Sequence, residues 1–389
     1  MHIYFVNYSR FEGSSGIHIH FLANELERLG VRCTACVPCN SRANSYCEGP
    51  LYSTITFGTL RRRAMFRPED LLKRGVLIHA WTPRENVRKC ITGISKRLSI
   101  PYFVHLEDNE EHIFEAHVGM PVDQYDRLSW LRKVRLSQAL IHPARYREFI
   151  AKAAGVTCIV DALQEFVPDR VPSLTFWPAC ESAFFKLPYA TDQEVRRSLT
   201  IPESSYVVTY TGNVHAANRN EVQTLYASIV ELNRRGHDVR LLRCGTNHAS
   251  IEDCVMRKAG PYVIELGNRP SGELIKYIAA ANILVQPGKP DPFNNYRFPS
   301  KLPMYLASGR PTILPATNIG HHLSDGENCL LLHTGSTEEL VQSIETLINN
   351  PSMQTAIGQT GRQYARKWLS WEKSAKKMLT FYERSIGTA

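Results

Sequence analysis

The chain has 389 residues, of which 43% are hydrophobic and 21% are charged. This length predicts two to three domains, and the composition is that of a globular protein, which excludes a disordered or fibrous chain. No apolar run approaches the roughly 20 residues that a membrane-spanning helix needs. Residues 1–7 read as an apolar strand without a basic leader or a cleavage site, so we expect a cytoplasmic protein.

The formal net charge is +9, made up of +5 over residues 1–190 (24 basic minus 19 acidic) and +4 over the remainder (22 minus 18). An excess spread over both halves suits a protein that handles anionic substrates or touches an anionic membrane, although ordinary surface lysines and arginines explain it equally well. No nucleic-acid-binding module is recognised, so we expect no nucleic-acid partner. The densest basic cluster, which could dock on acidic lipid headgroups, comprises Arg61, Arg62, Arg63, Arg67, Lys73 and Arg74.

The ten cysteines, in a sequence without a secretion signal, predict free thiols. Cys33, Cys36, Cys39 and Cys47 are close enough in sequence to suggest metal ligands. However, the apolar run 31–37 predicts a buried strand, whose alternation would send Cys33 and Cys36 to opposite faces. Since no histidine cluster or second Cys-x-x-Cys pair completes a site, we expect no metal.

The first half of the chain alternates between strand and helix patterns. In chain order these predict a strand over 1–6, a helix over 16–29, strands over 31–37 and 76–80, a helix over 84–98, a strand over 102–105, a mostly helical stretch over 123–154 and a strand over 156–160. A strand, a helix and a second strand in succession predict a right-handed parallel unit.

A second series of the same kind begins near residue 205. It predicts strands over 206–210, 239–243, 262–265, 283–286, 312–314 and 330–333, helices over 220–235, 271–280 and 300–307, and further helices to about residue 385. The chain is therefore expected to be an α/β protein with two doubly wound, Rossmann-like domains facing a cleft. Ligands of such sheets bind at the carboxyl ends of the strands, so the cleft is the expected site.

Two loops that follow a first strand carry small or basic residues. Gly13, Ser14, Ser15 and Gly16 would let backbone amides approach an anion at a helix start, although a structural turn explains the glycines nearly as well. In the second series, Gly212 and Asn213 follow the strand and Arg219 begins the helix, where a guanidinium can fork onto phosphate oxygens.

The segment 298–311 is the most informative stretch of the sequence. Ser300 and Lys301 open a predicted helix, so that a hydroxyl, an ammonium and free N–H groups could converge on one anion, with Arg297 just upstream. A lysine at a helix start is otherwise electrostatically unfavourable, which favours a functional reason for it.

His105, Glu107 and Asp108 end a strand of the first series, where they could orient hydroxyl groups or move a proton. A buried structural histidine is an equally good interpretation of His105. His18 and His20 are two apart on a predicted helix and share no face, so no chemistry is assigned to them.

Together these features resemble the two-domain GT-B glycosyltransferases, specifically the retaining family 4 group, with the strongest likeness over residues 206–332. The resemblance implies an acceptor-side domain over 1–187, a nucleotide-sugar-binding domain over 188–368, and a terminal helix over 369–389 that crosses back to the first. It places residues 13–16 beside the donor phosphate and acceptor, and His105 near the transferred sugar. It also places the family's basic pair, which grips the diphosphate, at Asn213 and Arg219.

The family signature of two glutamates falls at Tyr296 and Met304, neither of which is acidic. The first glutamate contacts the sugar and the second the ribose, and a thioether cannot accept two ribose hydroxyl bonds as a carboxylate does. Glu327 is a candidate substitute. Another residue could hold the ribose, the nucleotide could be held through phosphate and base, or the protein could be impaired.

The resemblance implies transfer of a hexosyl-type sugar, with retained configuration, from a nucleotide diphosphate sugar. The acceptor would be a glycan, a lipid-linked glycan or a polysaccharide precursor. His105, Arg219 and Lys301 are the expected catalytic residues, with no cofactor and no metal. Two alternatives stay open: a non-catalytic GT-B protein that binds sugar nucleotides or serves as a partner subunit, and a sugar-nucleotide epimerase.

Overall fold

The computed structural model describes residues 1–11, 13–39, 49–129, 136–188 and 190–387. Cys47 and residues 130–135 of the predicted helical stretch lie outside them. The chain divides into two compact units. Unit 1 comprises Met1–Pro178, Tyr296–Phe298 and Trp371–Ala389, and unit 2 comprises Ala179–Asn295 and Pro299–Ser370.

Unit 1 is built on a seven-stranded parallel sheet in the order β3-β2-β1-β4-β5-β6-β7. Its inner strands are continuous apolar runs, as expected for strands covered on both faces, and all six residues of β4 are buried. The strands are β1 (His2–Asn7), β2 (Arg32–Val37), β3 (Ser53–Thr56), β4 (Val76–Trp81), β5 (Tyr102–Leu106), β6 (Gly155–Cys158) and β7 (Ser173–Thr175).

Helices lie between β1 and β2, between β3 and β4, between β4 and β5 and between β5 and β6, and a helix from the end of the chain packs on the first of these helices. The helices of unit 1 are α1 (Ser14–Arg28), α2 (Phe57–Phe66), α3 (Glu85–Leu98), α4 (Glu110–Val118), α5 (Val122–Asp126), α6 (Tyr146–Ala151) and α15 (Trp371–Gly387). The Phe21 and Trp371 rings stack with centroids 5.8 Å apart, which joins α1 to α15.

Unit 2 contains a six-stranded parallel sheet in the order β10-β9-β8-β11-β12-β13. Its strands are β8 (Tyr206–Thr211), β9 (Val239–Cys244), β10 (Val263–Glu265), β11 (Ile283–Val285), β12 (Thr312–Pro315) and β13 (Leu330–Leu332). Its helices are α7 (Gln193–Ser198), α8 (Arg219–Arg234), α9 (Asp253–Ala259), α10 (Ser271–Ala279), α11 (Pro292–Asn295), α12 (Leu302–Ser308), α13 (Thr337–Asn349) and α14 (Pro351–Trp368). Both sheets place the first strand of the unit centrally, so the direction of strand connection reverses there, which is the doubly wound arrangement.

The prediction of a mostly helical stretch over 123–154 is wrong. Within its described part only α5 and α6 are helical, and residues 136–145 are turns and irregular chain. One reason is that Pro143 has no N–H group and disfavours helix before it. The carbonyls of Gln138 and Leu140 instead accept hydrogen bonds from Asn86 and Glu85 at the start of α3.

No helix in the described ranges is long and apolar enough to cross a membrane. Nor do three or more His, Cys, Asp or Glu side chains come together there in a way that could hold a metal ion.

Candidate functional site

The parallel strands of each sheet end at one edge, here called the carboxyl edge. In unit 2 the loop from Gly212 to Asn218 crosses this edge between β8 and α8. Asn218 is buried and fixes the loop, because its Oδ1 accepts from His215 N at 2.7 Å and its Nδ2 donates to Asn213 O at 3.0 Å. The side chain of Asn213 accepts from Thr246 N at 2.8 Å, so this residue joins the loops after β8 and β9.

Arg243, near the end of β9, is 1% exposed and organises the same loops. Its Nη1 donates to Gly212 O at 3.0 Å, and its Nη2 donates to Gly245 O at 3.1 Å. Its Nε pairs with Glu265 at 2.6 Å. A buried arginine in a central strand gave no signal in the sequence, where it reads as an interruption of an apolar run.

Arg219 lies where the resemblance places a phosphate contact, as the first residue of the 16-residue helix α8. Its side chain is exposed, and no hydrogen bond or ion pair from it is found among the described residues. The helix dipole and unpaired N–H groups at this end favour an anion.

Lys301 joins the carboxyl ends of two adjacent strands. Its Nζ donates to Gln286 Oε1 at 2.9 Å and lies 5.0 Å from the ring centroid of Tyr210. Tyr210 is near the end of β8, and Gln286, itself buried, directly follows β11. The ammonium is thus held at the central part of the carboxyl edge, where β8 and β11 pair.

Helix α12 begins at Leu302, two residues later than predicted, and has only seven residues. Its start offers few N–H groups, because Leu302 N bonds to Pro299 O and Pro303 has none. Ser300 is exposed and Met304 half-buried. The predicted anion-binding role of this segment would therefore depend on the Lys301 side chain rather than on the helix start.

Glu327 lies at the opposite edge of the sheet. It precedes β13, and its backbone carbonyl accepts a hydrogen bond from Thr360 of α14. The structure therefore does not bring it to the carboxyl edge. By contrast Glu221, in the first turn of α8, lies there and accepts from Asn294 Nδ2 at 2.6 Å. Glu221 gave no signal in the sequence, because acidic residues are common in first helical turns for electrostatic reasons alone.

In unit 1, Glu107 is the centre of a buried polar cluster at the carboxyl edge. Its carboxylate accepts hydrogen bonds from His18 Nδ1 at 3.0 Å, from Trp81 Nε1 at 2.8 Å and from Ser15 Oγ. Burial alone would raise the pKa of Glu107, but the hydrogen bonds and charge of its neighbours outweigh it and lower the pKa to about 2. His18, to which no chemistry was assigned, therefore belongs to this cluster.

The other residues of the first loop have separate positions. Gly13 is the exposed N-cap of α1, which begins at Ser14. Gly16 is buried, and a Cβ there would collide with the carbonyl of Phe11. Ser15, by contrast, contributes its side chain to the Glu107 cluster.

His105 is fully buried at the end of β5, between the rings of Trp81 and Phe176. Its Nδ1 lies 2.8 Å from Thr157 Oγ1, while its Nε2 has no hydrogen-bond partner among the described residues. Burial lowers the pKa of His105 to about 3, so the ring is neutral near pH 7. The neutral ring is therefore a poor general acid near pH 7, and its buried Nε2 has a hydrogen-bonding capacity that no described residue uses.

Tyr296 and Arg297 belong to unit 1, although their neighbours in sequence belong to unit 2. Tyr296 donates to Glu165 Oε1 at 2.7 Å and packs near Phe166. Burial and the neighbouring Glu107 raise the pKa of Asp108, and the positive charges of Arg84 and Arg297 counteract this. Arg297 therefore lies near the Glu107 cluster.

Comparison with solved structures identifies the architecture. Sucrose-phosphate synthase from Thermosynechococcus elongatus matches 100% of this chain and 100% of its own, with a TM-score of 0.72 at 16% identity. HepE from Anabaena, in complex with UDP and glucose, matches 97% of this chain and 98% of its own, with a TM-score of 0.71 at 13% identity. The chain has the GT-B fold of glycosyltransferases.

Sequence comparison supports the GT-B assignment in the second half of the chain. Residues 205–350 match the family model described as glycosyl transferases group 1. A D-inositol 3-phosphate glycosyltransferase from Corynebacterium aurimucosum is 25% identical over 200 residues, 49% of this chain and 46% of the relative. An uncharacterized glycosyltransferase from Methanocaldococcus jannaschii is 25% identical over 145 residues, 37% of this chain and 40% of the relative. The match thus spans less than half the length of either curated relative.

Proposed function

We propose that this protein transfers a sugar from a nucleotide diphosphate sugar to a hydroxyl acceptor, with retention of configuration. The acceptor is a glycan, a lipid-linked glycan or a polysaccharide precursor. The observation that carries the proposal is the placement of Lys301 across the ends of β8 and β11, inside the region that matches group 1 glycosyltransferases. The complex of HepE with UDP and glucose supports a nucleotide donor.

In the proposed reaction the bond from the anomeric carbon to the diphosphate oxygen breaks, and a bond from that carbon to the acceptor oxygen forms on the same face. The acceptor proton passes to the departing diphosphate. Arg219 and Lys301 neutralise the charge that develops on this leaving group, a role for which preorganised donors are effective. The proposal therefore needs neither a metal nor a cofactor.

Unit 1 contributes positioning in this proposal. In this proposal the neutral His105 hydrogen-bonds a sugar hydroxyl through Nε2, donating or accepting according to its tautomer. Because Nε2 is buried, this contact requires neighbouring groups to move when the sugar binds. Ionised Glu107 holds Ser15, His18 and Trp81 in fixed orientations beside it. Such rigid placement lowers the barrier by orienting the reactants rather than by supplying a nucleophile.

The first experiment is a thermal-shift screen across UDP-, GDP-, ADP- and dTDP-linked sugars. A ligand at 100 times its Kd should stabilise the folded protein by about 2.7 kcal/mol. Product from the best donor is then analysed for its anomeric configuration by NMR. Absence of any thermal shift and of any transfer or hydrolysis across the panel would rule out the proposal.

The second experiment tests the assigned cations. Lys301→Ala and Arg219→Ala should each lower kcat by about a hundredfold or more, because each removes a charge from the leaving group. The matched controls Lys276→Ala and Arg257→Ala remove exposed cations of the same unit and should retain full activity. Equal activity in all four variants would refute the phosphate contacts while leaving the donor screen valid.

A second candidate function is binding of a sugar nucleotide without transfer, which Met304 favours because the resemblance assigns the ribose-binding carboxylate to this position. Under this alternative the donor stabilises the protein but no acceptor is glycosylated. Incubation with donor alone also tests the epimerase alternative, since an epimerised nucleotide sugar would appear without any acceptor.

A further inference from the structure

Helix α2 of unit 1 has an outer face on which basic and apolar side chains alternate. Its inner face is buried and consists of Phe57, Leu60 and Ala64. Residues three and four apart are neighbours on a helix, so exposed Met65 lies beside exposed Arg61 and Arg62. Packing against the sheet therefore leaves a mixed basic and apolar surface outside.

The exposure of these apolar side chains is unusual for this chain. Phe66 is 72% exposed, Met65 55% and Leu72 57%. Seven large apolar side chains are exposed in the described residues, and these three fall within eight consecutive positions. Single exposed apolar residues need no explanation, but a concentrated group of them marks an interaction surface.

The charge of the same segment selects the partner. Residues 57–74 contain six basic residues and two acidic ones, giving a local net charge of +4. The two acidic residues are Glu69 and Asp70, and Asp70 Oδ1 lies 3.8 Å from Lys73 Nζ. A surface that offers both cations and insertable apolar side chains is complementary to an anionic lipid interface. A nucleic acid would neutralise the arginines but would leave Phe66 in water.

We propose that α2 and the turn after it, residues 57–74, form a docking surface for an anionic membrane. The helix lies in the plane of the interface, with Met65 and Phe66 entering the headgroup region. Arg61, Arg62, Arg67, Lys73 and Arg74 contact lipid phosphates. The sheet behind the helix stays outside the bilayer, so the attachment is peripheral and independent of sugar transfer.

Sedimentation with vesicles tests this surface without donor or acceptor. The full chain should bind vesicles of phosphatidylcholine with 30% phosphatidylglycerol, and binding should weaken with added NaCl because exposed charges are screened. Arg62→Ser with Arg67→Ser should lower the partition coefficient about twenty-five-fold, since each cation near the surface contributes about a fivefold effect. Phe66→Ser should lower it further and leave residual binding more sensitive to salt.

The charge-matched control is Arg257→Ser with Lys258→Ser, which removes two exposed cations from unit 2 and should bind vesicles as the wild type does. Thermal unfolding of each variant checks that it is folded. Failure of the wild type to bind anionic vesicles would overturn the proposal. So would equal binding by the α2 variants and the control, or equal wild-type binding to vesicles of phosphatidylcholine alone.

Discussion

Replacing Arg243 by methionine removes the guanidinium that joins the loops after β8 and β9 and pairs with Glu265 at the end of β10. The carbonyls of Gly212 and Gly245 lose donors, and Glu265 keeps the hydrogen bond from Tyr226. Breaking a buried ion pair by removing one partner costs about 3–5 kcal/mol. Because the Glu265 side chain is 30% exposed and can regain water, we expect the lower end, about 3 kcal/mol.

For a unit of this size a loss of about 3 kcal/mol corresponds to a fall in Tm of about 6–12 °C, which differential scanning calorimetry would measure. Donor affinity should fall as well, because the carbonyl of Gly212 is no longer fixed beside Asn213. The matched control is Arg240→Met on the same strand. Arg240 is half-buried, donates to Pro261 O and pairs with Asp238, so its loss should cost less than about 1 kcal/mol. Equal destabilisation by the two substitutions would refute this account of Arg243.

Three further predictions concern other parts of the chain. The pKa of Glu107 is lowered from 4.5 to about 2 in the folded protein, so its contribution of about 3 kcal/mol to the free energy of unfolding is present above pH 4.5 and is lost as the pH falls toward 2. Glu107→Gln should therefore reduce the dependence of the unfolding free energy on pH, measured by denaturant titrations at pH 3 to 5.5. An unchanged slope against pH would contradict this prediction. Met304→Glu should tighten donor binding by about fivefold to a hundredfold if the ribose hydroxyls lack a carboxylate, and an unchanged Kd by calorimetry would show that another group holds them. Gly245→Ala should destabilise unit 2 by roughly 2 kcal/mol or more, because Gly245 has a φ of 145° and a Cβ there would collide with the carbonyl of Gly212. The control is Gly236→Ala, at a φ of 93° with open space around it, which should cost about 1 kcal/mol. Equal losses of stability in the two variants would disprove the role of the collision.

The order of strands and helices was predictable because apolar periodicity is a local property of the sequence. Most strands and long helices lie within one or two residues of their predicted bounds, as for α8 (Arg219–Arg234) and α10 (Ser271–Ala279). The stretch over 123–154 failed because residues 138 and 140 bond to the start of α3, which is distant in sequence. No element was predicted between residues 38 and 75, where the structure has β3 and α2.

The sequence by itself determined the two doubly wound domains and which loops could carry an anion site, since the carboxyl ends of parallel strands always share an edge. Only the tertiary structure placed Lys301 against Gln286 and Tyr210, gathered His18 and Ser15 around Glu107, and put Glu327 at the opposite edge of its sheet. These contacts join residues far apart in the chain, and their geometry depends on strand order and register. A side chain's type predicts what it can bind, whereas its neighbours and its burial decide what it does bind.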